Sequence, residues 1–112
     1  MKITMEMMAS CYELLRNMQP FNRWNLPHES HVRFSHIQSK SFYGDYLADD
    51  IPRIRITSLV KSLPRMIETM AHEMCHMKEG ISGRDEGLEH GPEFRRLARL
   101  VCNRLGFKWT EF

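Results

Sequence analysis

The spacing of apolar residues changes character along the chain. Near residues 3–18, Met5, Met8, Cys11 (or Tyr12) and Leu15 recur at helical intervals, and Pro20 stops the pattern. This predicts a first helix. Residues 21–29 read as a loop, with Asn22, Asn25 and Pro27 as breakers. Alternation then replaces the helical period. Val32 and Phe34 share a face within 31–37, Phe42, Tyr43 and Tyr46 surround Gly44, and Ile54 and Ile56 alternate with Arg53 and Arg55. Three short strands follow, expected to pair as one small antiparallel sheet with Ile54 and Ile56 inward. Helical spacing returns at Leu63, Met66, Ile67, Met70, Ala71 and Met74. Ser62 is placed to cap this helix, Pro64 falls in its first turn, and Gly80 is the expected stop. A glycine-rich loop spans 81–91. A last helix runs from near Pro92 to near Gly106 and buries Phe94, Leu97, Ala98, Val101 and Leu105. The predicted class is α+β, in the order helix, three strands, helix, loop, helix.

A length of 112 residues suits a single domain over 1–112. With 42% hydrophobic and 27% charged residues, wholesale disorder is excluded. No apolar run approaches the roughly 18 residues that cross a bilayer. The first residues lack the apolar core of a signal peptide. A soluble, cytoplasmic protein without membrane partners is expected. Cys11, Cys75 and Cys102 are scattered singly, which argues against a disulfide framework or a cysteine-rich zinc ribbon. The nine methionines read as core filling. A formal charge of +2 is too small to imply nucleic acid by itself.

The chemistry lies in His72-Glu73-Met74-Cys75-His76. Histidines four apart on a helix lie one above the other and can hold one zinc ion from the same face. Glu73 sits beside them, placed to act as base toward zinc-bound water as it attacks a carbonyl. The helix carries a separate apolar stripe for its core contacts, so the histidine face is available for other work. Catalytic zinc needs a third protein ligand. His90, returned by the glycine-rich loop, is the favoured one; Glu79, Asp85, Glu86, Glu89 and Glu93 are the nearby alternatives. A longer metzincin-type motif is excluded because Ser82 stands where it needs histidine.

This H-E-x-x-H segment, followed by His90-Gly91-Pro92-Glu93-Phe94, resembles the SprT-like zinc metallopeptidases, the family that includes Spartan. The strand ending in Arg55-Ile56-Thr57 ahead of the motif helix fits the same pattern. The resemblance spans about residues 30–106. It implies a minimal zincin-like fold, one Zn2+ per chain on His72, His76 and His90, and Glu73 as catalytic base. It also implies protein or peptide substrates, among them proteins trapped on DNA.

Arg95, Arg96 and Arg99 on the last helix are candidate contacts for weak DNA binding, against the plainer reading of a solvated face. Cys75 is expected in the core. His28, His31 and His36 read as surface histidines, and Tyr43 and Tyr46 as sheet packing with reach toward the cleft. The strand at 53–57 is the expected edge that would hold an extended substrate. The alternative to a peptidase is a non-catalytic zinc-containing module that binds DNA or protein.

Overall fold

A computed structural model describes residues 1–83 and 89–112. Its elements are α1 (Met5–Arg16), β1 (Arg33–Ile37), β2 (Gly44–Leu47), β3 (Arg53–Thr57), α2 (Leu63–Ser82) and α3 (Pro92–Leu105), with single 3-10 turns at Phe21–Arg23, Glu29–His31 and Trp109–Glu111. The Thr4 hydroxyl caps α1 by accepting from the Met7 N–H at 3.1 Å. The inward face of α1 is Met8, Cys11, Tyr12 and Leu15. Met5, expected on that face, is 65% exposed because it lies at the first, outward position after the cap. The segment after α1 contributes more than a loop: Phe21, Trp24 and Leu26 are buried, and Pro27 offers its carbonyl to the Tyr12 hydroxyl at 2.6 Å.

The three predicted strands are present, but the sheet is mixed, not antiparallel. Its order is β1-β3-β2. β2 and β3 form an antiparallel hairpin, and β3 inserts beside β1 in parallel, with Phe34 opposite Ile54 and His36 opposite Ile56. β3 is therefore the central strand and not an edge. The edge nearest α2 is β2. The link from β1 to β2 is tied to the end of β3: the Thr57 hydroxyl donates to the Phe42 carbonyl at 2.6 Å, and the Thr57 N–H donates to Tyr43 at 2.9 Å. Gly44 opens β2 where space is shortest. A Cβ there would lie 2.6 Å from the Arg55 carbonyl oxygen and 2.9 Å from Thr69 Cγ2. Only glycine lets this strand approach β3 and α2 together.

α2 packs against α1, the sheet and α3. Ser62 caps it through the Arg65 N–H at 3.3 Å. Met66, Met70, Ala71, Met74 and Cys75 are buried in one core with Ile54, Ile56, Leu97 and Val101. Leu63, placed in the stripe by its spacing, is 51% exposed in the first turn, outside the packed stretch. The helix also passes Gly80 and stops at Gly83, which takes the left-handed conformation (φ 69°) and closes the last turn onto Glu79 and Gly80. Gly80 stays helical against the Tyr46 ring. α3 ends as expected, at Gly106 with φ 80°. Among the described residues no helix is long and apolar enough to cross a membrane.

Candidate metal centre

The four-residue spacing on α2 sets the His72 and His76 rings 5.1 Å apart, on the side facing away from the methionine core. His90 comes back to them just before Gly91 caps α3. Its ring lies 5.1 Å from His72 and 5.3 Å from His76, with Nε2 of His90 3.2 Å from Nε2 of His72. One nitrogen from each of the three falls within 4.8 Å of the others, a grouping that could hold a metal ion. Of the alternative third ligands, Glu79, Glu89 and Glu93 are not in this group; Asp85 and Glu86 lie outside the described residues. His28, His31 and His36 are all exposed, and among the described residues they form no second group.

The outer contacts decide which nitrogen each ring presents. Nδ1–H of His72 donates to the Phe112 main-chain oxygen at 2.7 Å, and Nδ1–H of His76 donates to the Glu79 carboxylate at 3.0 Å. Both rings are thereby held with Nε2 as the lone-pair nitrogen, the form a metal requires. Burial pushes His72 down to about 4, so it is neutral at physiological pH. The donor set fits a borderline-soft divalent ion of low coordination number.

Glu73 is 4% exposed. Burial, reinforced by the negative charges of Asp45 and Glu89, pushes its carboxyl up to about 8. It opens with His72 and His76 onto a cleft of 480 Å³ whose far wall is β2 at Gly44, Asp45 and Tyr46. A smaller cavity of 150 Å³ continues past Gly44, His72 and Glu73 toward Tyr43 and Phe112. The two together trace a groove along the outer edge of β2, to which no second strand is paired among the described residues. Another groove, between α1 and the first turns of α2, is apolar and remote from these histidines.

Three further residues contribute, and of these Phe94 belongs to the motif that opens α3. Glu79 is 3% exposed and serves as an acceptor for His76; its place one turn after His76 was the available signal. Phe94 stacks on His76 with ring centres 4.3 Å apart. Phe112 has no sequence signal at all. The candidate arginines on α3 are exposed but partly engaged within the chain: Arg96 donates twice to Glu93, and Arg99 stacks over Trp109 at 5.2 Å. Cys75 is fully buried, as expected.

A histidine pair on a helix, a third histidine returned by a loop, and a buried carboxylate below a free strand edge are compatible with a metallopeptidase-type domain. The chain belongs to the SprT-like family, whose sequence profile matches residues 11–110. That match extends past the motif region to take in the second half of α1. No curated protein matches the chain by sequence.

Proposed function

We propose that this chain is a zinc-dependent peptidase. The observation that carries the reading is the grouping of His72, His76 and His90 within 4.8 Å, with Glu73 buried beside them at the floor of the β2 cleft. The three histidines would hold the ion, those of His72 and His76 through Nε2 atoms whose orientation Phe112 and Glu79 already fix. A bound zinc ion supplies Lewis acidity, polarising a carbonyl and acidifying water. Glu73 then takes the proton of the attacking water and passes it to the departing amine, a role worth roughly 10²–10⁴ in rate. A cation on the histidines would also pull Glu73 back toward the carboxylate form that a base needs. The outer edge of β2, which among the described residues pairs with β3 alone, offers its main-chain groups to an extended substrate. Such binding uses backbone groups and is tolerant of sequence.

A buried carboxyl beside three convergent histidines has no evident structural use, which favours turnover over a purely zinc-containing binding module. Elemental analysis of protein purified without added metal, with digestion of an unstructured protein by wild type and by Glu73→Gln, tests the reading. About one zinc per chain and loss of cleavage only in the variant are expected. A metal-free protein that still cleaves would overturn it. The narrower proposal, that substrates are proteins bound or crosslinked to DNA, has its support in the family's character and in exposed Arg95, Arg96 and Arg99. Because Arg96 and Arg99 already have partners, DNA binding through α3 would be weak and lost as salt rises. Cleavage of a DNA-binding protein with and without duplex DNA separates it from a DNA-independent peptidase.

A further inference from the structure

His72 and His76 are oriented by different means. The acceptor for His76 is Glu79, on the same helix and three residues away. The acceptor for His72 comes from Phe112, forty positions along the chain. We propose that residues 109–112 act as a positioning strap for His72, so that a well-formed metal site depends on docking of this segment.

The strap has three fastenings. Gly106, left-handed at the end of α3, turns the chain back. The Arg99 guanidinium lies over the Trp109 ring at 5.2 Å. The Phe112 ring then sits 5.7 Å from Phe107, nearly parallel to it, and 5.2 Å from the His72 ring itself. These contacts deliver the Phe112 main-chain oxygen to Nδ1 of His72 at 2.7 Å. With that acceptor in place the proton stays on Nδ1, and Nε2 keeps its lone pair toward His90 and His76. Without it the ring can rotate and exchange tautomers, and part of the population presents N–H where a lone pair is needed. Loss of such an outer-shell partner typically costs 10–100-fold in metal affinity. The coupling is reciprocal: whatever strengthens metal binding when the strap docks must strengthen docking when metal binds.

The metal arm of the test rests on the zinc reading above, and the tautomer arm does not. In metal-free protein, ¹⁵N–¹H imidazole NMR should show His72 and His76 both protonated at Nδ1. In a chain ending at Lys108, and in Phe112→Ala, His72 should become a tautomer mixture while His76 keeps its Nδ1–H. Phe112→Tyr should behave as wild type. Zinc affinity, measured by competition with a chromophoric chelator, should fall about 10- to 100-fold in the first two variants only. If the shortened chain fails to fold, Phe112→Ala and Trp109→Ala decide the matter. An unchanged His72 tautomer, or unchanged zinc affinity despite an altered tautomer, would overturn the proposal. A wild type that binds no zinc would defeat the peptidase reading, and the tautomer arm would then judge the strap alone.

Discussion

Glu73 and His72 are neighbours whose burial acts on opposite charges, and their pH signatures oppose each other. In the metal-free protein Glu73 keeps its proton up to about 8, whereas the unfolded chain releases it near 4.5. Over that interval the unfolded state holds fewer protons, so stability falls as pH rises. His72 is displaced the other way, from 6.5 to about 4. Between those values the unfolded state holds more protons, so stability rises with pH. The two slopes cancel from about 4.5 to 6.5, and Glu73 acts alone above that. Chemical denaturation in the presence of chelator should show the pair's contribution flat to pH 6.5 and then declining toward pH 8, by about 2 kcal/mol at most. Glu73→Gln should remove the decline and leave a rise between pH 4 and 6.5. The same substitution should retain zinc and lower peptide hydrolysis by at least about 100-fold. The positions of His72, Glu73 and His76 were legible in the sequence because helix geometry alone brings i and i+4 together. Their protonation was not, since Asp45 and the burial come from the folded arrangement. Glu79 was legible as a nearby acid but not as an acceptor for His76 rather than a ligand.

At the scale of elements, β2 is the most exacting piece. Gly44→Ala would force a methyl group against the Arg55 carbonyl and Thr69, with little room for relief from a main-chain atom. We expect a loss of about 1–3 kcal/mol in chemical denaturation and a disproportionate loss of cleavage, because the displaced strand is the wall of the cleft. Equal stability and turnover would show that the strand can shift harmlessly. Ser62→Ala, by contrast, removes one cap at the far end of α2 and should cost about 1 kcal/mol with the metal site intact. Alternation identified each strand, since Ile54 and Ile56 could only be inward together. It could not give strand order. That the hairpin 44–57 would lay β3, and not β2, against β1 depends on contacts among Phe34, the Tyr43 link and α2 that no local pattern encodes. Likewise Gly80 and Gly83 are equivalent as stop signals. Gly80 packs against the Tyr46 ring within the helix, and the extension past it carries Ile81 and Ser82.

For the molecule as a whole, an ion held by His72, His76 and His90 would join α2 to the entry of α3. A ligand bound only to the native state at 100 times its Kd adds about 2.7 kcal/mol. Chelation should therefore lower the Tm of wild type by several degrees, and His90→Ala should abolish most of that difference. If Glu89→Ala or Glu93→Ala did so and His90→Ala did not, the grouping would be misassigned. The free edge of β2 has a further consequence. It is four residues long and among the described residues pairs with β3 alone, so if it holds the substrate as proposed, what it would accept is a length of chain already stripped of its own hydrogen-bonded neighbours. A compact protein presents such a stretch only during a local opening. Its destruction would then run on a clock kept by the victim: the fraction of time it spends open, not the identity of its residues. For a set of variants of one target that differ only in stability, the logarithm of the cleavage rate should track their unfolding free energy with a slope near one in units of RT.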